Sequence, residues 1–267
     1  MPTDTVDPLV PQSHADPRGG DGVPITTGHY QGMIVDLSGV VTALLPGTGS
    51  DDDYVCRAFA DPLRRVGAVV LAEPPQPGHL VDGYLAALDN AARSGPIAVG
   101  GVSIGAAVAV AWALAHPDDA VAVLAALPPW TGEPRAAPAA QAARHSAVLL
   151  RRGGLAAATK QMRASSPPWL AEELARSWLG QWPQLPDAME EAAAYVAPSG
   201  ADLKRLVAPL GIVAAVDDPI HPLEVGAAWA AAAPHAALRT VTLDQIGADP
   251  ATLGAACLAA LGDVDDV

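Results

Sequence analysis

The chain is poor in aromatic residues, in cysteine and in positive charge. It has a single Phe, and aromatics make up 4% of its 267 residues. Hydrophobic residues still amount to 51%, so the core must be built from Ala, Val and Leu. Only two cysteines are present, Cys56 and Cys257. They have no CxxC spacing and no His neighbour at ligand spacing, which speaks against a disulfide framework or a zinc site. Two free thiols fit a reducing, cytoplasmic setting. Lys and Arg number 15 against 29 Asp and Glu, a formal net charge of -14. A nucleic-acid binder needs a basic face, and an anionic membrane surface would repel this chain. No basic n-region followed by an apolar run marks a signal peptide. The longest apolar stretch, around Val102 to Ala115, is too short to span a bilayer.

What is present is an alternation of strand and helix patterns. Residues 1–28 are rich in Pro, Asp, Gly and Thr and are expected to be a disordered tail. Met33–Leu37 and Val40–Leu45, joined by Ser38-Gly39, suggest a hairpin. A helix is expected from about Asp51, then a strand at Ala68–Leu71 and a helix at Val81–Ala92. Ile97–Val102 is an uninterrupted apolar run, typical of a strand buried on both faces. A helix at Ile104–Ala115 and a strand at Val121–Leu127 follow. This order predicts a parallel sheet with right-handed crossovers. From Pro128 to about Ser199 the pattern is helical without a convincing strand. Strand and helix then resume at Leu210–Val216, Leu223–Ala232, Leu238–Leu243 and Pro250–Leu261. The expected fold is α/β, a mostly parallel sheet with helices on both faces, formed by residues 29–128 and 206–267. Residues 129–205 read as a helical cap inserted into it.

Gly101-Val102-Ser103-Ile104-Gly105 matches G-x-S-x-G at the point where a buried strand meets an apolar helix. A sharp strand-to-helix turn needs small neighbours and pushes the serine hydroxyl into the open. It also aims the next backbone N–H, that of Ile104, at a developing oxyanion. Pro46-Gly47-Thr48-Gly49 follows an earlier strand and offers a second donor, the Thr48 N–H, with Gly47 beside the pocket. An ordinary glycine turn is the plainer reading. Four of the six Trp fall in the helical stretch. Trp130 and Trp169 are candidates for an apolar substrate pocket, although a cap also needs Trp for its own core. No phosphate-binding glycine loop, dinucleotide fingerprint or metal-ligand cluster is found, so no cofactor is expected.

These motifs, in this order, resemble the α/β-hydrolase superfamily, in particular its cap-bearing esterases, haloperoxidase-like enzymes and C–C bond hydrolases. The resemblance spans roughly residues 30–262. It implies a catalytic acid in a loop shaped G-x-x-D-x-[IV]-x-P. Ala215-Val216-Asp217-Asp218-Pro219-Ile220-His221-Pro222 fits with Ala in place of Gly. The match points to Asp218, with Asp217 as its alternative; two Asp before Pro are also a turn signal. The resemblance further implies a histidine just after the last strand, where this chain has Ala248. No histidine follows His235. Among the remaining histidines His79 is expected to line the pocket. His221 is the candidate for a relocated base, because the residue before this Pro lines the pocket in the resembling C–C hydrolases. Its plainer reading is a helix cap or a backbone contact.

The resemblance therefore implies a cofactor-free serine hydrolase for a small or medium apolar ester or related carbonyl compound. Ser103 would be its nucleophile, Asp218 the acid and His221 the base, with Ile104 and Thr48 forming the oxyanion hole. The absence of His at position 248 keeps two other readings open. One is a non-hydrolytic enzyme on the same fold, such as a lyase, cyclase or isomerase. The other is a catalytically silent protein that binds a ligand or partner.

Overall fold

The computed structural model describes residues 35–264. The expected tail, 1–28, lies outside them. Ten helices and six strands make up the elements among the described residues. β1 (Val41–Leu45), α1 (Asp52–Arg65), β2 (Val69–Ala72), α2 (Leu80–Ala92), β3 (Ile97–Val102), α3 (Ile104–Ala115) and β4 (Ala120–Ala126) form the first half. Four helices follow without a strand: α4 (Pro138–Ser165), α5 (Pro168–Gln181), α6 (Leu185–Ala194) and α7 (Gly200–Leu203). β5 (Leu210–Ala215), α8 (Leu223–Ala232), β6 (Ala236–Val241), α9 (Leu243–Ala248) and α10 (Ala251–Asp263) complete the elements of the described residues.

The strands lie in the order β2-β1-β3-β4-β5-β6, and every pairing is parallel. Parallel neighbours require crossovers, so both sheet faces become covered by helices. Alternate strand residues feed two cores. Leu45, Val99, Val123 and Ile212 pack with α2, α3 and α8. Leu44, Ala98, Leu124 and Val213 pack with α1 and α10 on the other face. β3 and β5 are buried along their whole length. A third, smaller core of Leu150, Met162, Trp178 and Met189 lies within the inserted helices.

Two expectations are corrected. The hairpin does not form: Val35–Leu37 is not a strand, and β1 pairs in parallel with both of its neighbours. Instead Asp36 Oδ1 accepts the Ser38 N–H at 2.8 Å, and Gly39, at φ +75°, turns the chain straight into β1. Met33 and Ile34 lie outside the described residues. The last strand begins and ends two residues earlier than expected, and Leu243 opens α9. Thr242 and Gln245 cap each other reciprocally there, and this box ends the strand.

Candidate active site

Ser103 stands between β3 and α3 with φ 55° and ψ -119°, a conformation that non-glycine residues rarely hold. Such strain costs about 1–3 kcal/mol and persists only where the surroundings enforce it. Here the enforcing contacts come from β1. A Cβ on Gly101 would lie 2.3 Å from the Leu45 carbonyl oxygen, and one on Gly105 would lie 2.2 Å from it. Glycine at both positions lets the end of β1 press against the turn. The Ser103 N–H donates to the Ala126 carbonyl at 2.9 Å, which ties the turn to β4 as well. Ile104 is the first residue of α3, and its N–H has no acceptor inside the helix.

The loop after β1 crosses directly over this turn. Gly47 is so close that a Cβ there would meet the Ser103 Cβ at 3.4 Å. The Ser50 N–H donates to the Gly47 carbonyl at 3.0 Å and closes a turn around Thr48 and Gly49. Gly49 has φ +72°, the sign a type II turn requires at its third residue. Thr48 and Gly47 line the same cavity as Ser103.

The loop after β5 brings in two more groups. Asp218 Oδ1 accepts the backbone N–H groups of Ile220 at 2.7 Å and His221 at 3.2 Å. Its Oδ2 is 2.8 Å from His221 Nδ1. On the other side of the ring, His221 Nε2 is 2.9 Å from Ser103 Oγ. A carboxylate can only accept, so Nδ1 carries the proton and Nε2 of the neutral ring accepts from the serine hydroxyl. All three side chains are shielded: Asp218 is 8% exposed, His221 16% and Ser103 8%. Burial acts to raise the Asp218 carboxyl. The bonds from the His221 ring and from the two backbone N–H groups outweigh it and hold the carboxyl below its ordinary value.

Asp217 is turned elsewhere. Its Oδ1 accepts the Leu243 N–H at 2.8 Å and anchors the start of α9. Ala248 ends that helix, and the Trp169 indole packs against the neighbouring Gly247. His79 is not among the residues lining the cavity, contrary to expectation. It stands exposed at the start of α2. Trp130 and Trp169 do line the cavity, which has a volume of about 570 Å³ and lies between the sheet edge and α4–α6. Among the described residues no cluster of three or more His, Cys, Asp or Glu could hold a metal ion. No helix among them is long and apolar enough to cross a membrane.

Several contributors to the site escaped the sequence reading. Tyr54, buried in α1, also lines the cavity. Gln181 donates to the Ser50 carbonyl at 2.9 Å, and Trp178 packs on Gly49. Glu191 of α6 accepts the N–H groups of Leu80 and Val81 at 2.8 and 2.9 Å and caps α2. Nothing in the local sequence marks such long-range contacts.

No protein-family model and no curated protein matches the chain. Solved structures do. A carboxylesterase structure from the thaumarchaeon Nitrososphaera gargenis superposes with a TM-score of 0.65 at 15% identity, over 79% of this chain and 85% of that one. A hydrolase from Pseudomonas aeruginosa gives 0.61 at 22% identity, over 84% and 90%. The enol-lactonase from Burkholderia xenovorans gives 0.58 at 17%, over 78% and 84%. The chain has the α/β-hydrolase fold. Ser103 stands at the carboxyl end of a central strand, where open α/β sheets place their ligands. The histidine of this α/β-hydrolase fold reaches Ser103 from the loop after β5, and α9 fills the place after the last strand.

Proposed function

We propose that the protein is a serine hydrolase acting on an ester or related carbonyl compound, with inserted residues 129–205 forming a cap over the site. The observation that carries this reading is the unbroken chain Asp218–His221–Ser103, with links of 2.8 and 2.9 Å. His221 Nε2 takes the hydroxyl proton as Ser103 Oγ attacks the carbonyl carbon. Asp218 holds the ring in the required tautomer and stabilises the imidazolium. The oxyanion is received by the N–H groups of Ile104 and Thr48. The imidazolium then gives its proton to the departing alkoxide. A water, deprotonated by the same ring, frees the acid from Ser103. Every step uses groups of this chain and needs no cofactor.

The test is labelling with a fluorophosphonate, read by intact mass. One adduct is expected on the wild type and none on Ser103→Ala or His221→Ala. An unlabelled, folded wild-type protein would overturn the reading in favour of a non-hydrolytic or ligand-binding role.

A further inference from the structure

The cavity beside Ser103 constrains the substrate in both size and charge. Its volume of about 570 Å³ falls within the range of pockets that enclose drug-sized ligands. An acetyl group on Ser103 would leave most of it to water. Much of the room comes from α4, which turns sharply at Gly154 (φ 71°, ψ 177°), so that both of its halves line the space. They do so with small side chains, Ala139, Ala142, Ala143 and Ala158. Leu149 and Met162 of the same helix line it too, with Trp130 and Trp169 from outside α4.

The charge pattern is one-sided. No lysine or arginine is among the residues lining the cavity, whereas Glu173 and Asp218 are. This is not for lack of cations nearby. α4 contains Arg144, Arg151, Arg152, Lys160 and Arg163, and none of them lines the cavity. Arg151 is held by Asp187 and Glu190, Arg163 by Glu172, and Arg144 by backbone carbonyls. Arg57 and Arg176 reach Glu173, at 2.5 and 3.1 Å, without lining the space themselves. A substrate with a negatively charged tail would lose its hydration here and find no lysine or arginine on the wall, the nearest two, Arg57 and Arg176, being already engaged by Glu173. His145, also on the lining, is exposed and lies 3.2 Å from Gln161 Nε2.

We infer that the substrates are uncharged esters with an extended apolar acyl part, and that acyl groups ending in a carboxylate are excluded. This rests on the reading of Ser103 as nucleophile. The experiment is a kcat/KM series at pH 8 with 4-nitrophenyl esters of straight-chain acids from acetate to dodecanoate. An eight-carbon ester with a terminal carboxylate is added to it. Each methylene added from acetate to octanoate is expected to raise kcat/KM about fourfold. The carboxylate-ended ester is expected to fall at least about a hundredfold below octanoate. Gln161→Arg, which puts a cation on the wall, should narrow that gap. A preference for acetate, or equal rates for the two eight-carbon esters, would overturn the inference.

Binding to folded Ser103→Ala separates this inference from the function on which it rests. Methyl octanoate and its carboxylate-ended counterpart would be titrated against the fluorescence of the cavity tryptophans. Selective binding of the neutral ester supports the substrate class even if wild-type Ser103 fails to label. Equal binding of both, or of neither, sinks it even if Ser103 labels.

Discussion

Asp218 uses both of its carboxylate oxygens, one on the backbone of its own loop and one on the His221 ring. The amide of Asp218→Asn would keep the first role and reverse the second. Its NH2 facing Nδ1 would force the proton onto Nε2, against the Ser103 hydroxyl. A loss in kcat of roughly 10⁴ is expected, the size seen for this exchange in a serine protease. Asp217→Asn keeps an acceptor for the Leu243 N–H and should leave kcat within about twofold, since this group does not touch the triad. Steady-state kinetics on the pair distinguish the two aspartates. Acid titration supplies a further check. The Asp218 carboxyl is lowered in the folded state, so its contribution to stability is complete above the unfolded value near pH 3.9. It fades as pH falls through the folded value. The difference in Tm between the wild type and Asp218→Asn should therefore narrow on going from pH 7 to pH 3. The sequence put the acid at Asp218 with Asp217 as its alternative, and the structure turns the Asp217 side chain to the Leu243 N–H. It named His221 as the candidate base but carried no distance to Ser103, since that contact spans 118 residues.

At the level of elements, most strands and helices were legible because buried parallel strands are short apolar runs and their crossover helices are long. The expected bounds of β3, α3 and α8 match the observed ones. The failures came where side chains compete with the ladder. Asp36 holds a turn where a hairpin was expected, and the Thr242–Gln245 box starts a helix inside an expected strand. The box has the readable form T-x-x-Q, so α9 was a missed signal rather than an absent one. What no pattern announces is how α5 grips the loop that bears Thr48. Gln181 holds the Ser50 carbonyl, Trp178 covers Gly49, and Arg176 pairs with Asp51 through two bonds of 2.7 and 3.0 Å. A methionine at position 181 fills the same volume without the bond. Gln181→Met is therefore expected to lower kcat by roughly tenfold to a hundredfold with little change in KM, because the donor is displaced only where the oxyanion forms. A rise in KM at constant kcat would contradict that role. The second attachment, Glu191 on α2, is expected to contribute about 1 kcal/mol as a cap, measurable by urea denaturation of Glu191→Ala.

On the scale of the whole molecule, a core built from small side chains lets backbones approach one another closely. Besides Gly101 and Gly105, Gly211 of β5 lies against α10, where a Cβ would come within 2.3 Å of the Cys257 carbonyl oxygen. Gly254 of α10 is pressed in turn against α1. Neither layer can yield without moving a sheet or a helix. Gly105→Ala is accordingly expected to cost more than about 3 kcal/mol and to give little soluble protein, judged by expression and thermal melting. Gly95 is the contrasting case in space alone, with nothing within 4 Å of an added Cβ.

The placement of Asp218 and His221 within one loop also changes what the chain must accomplish while folding. When the histidine follows the last strand, three distant stretches have to converge before a proton can be relayed. Here two of the partners are three residues apart, and their meeting is a local event with a small entropic cost. A single long closure remains, from residue 221 back to residue 103. β6, α9 and α10 hold no member of the Asp218–His221–Ser103 chain. Leu243, at the start of α9, lines the cavity, and the rest of this end of the chain serves packing.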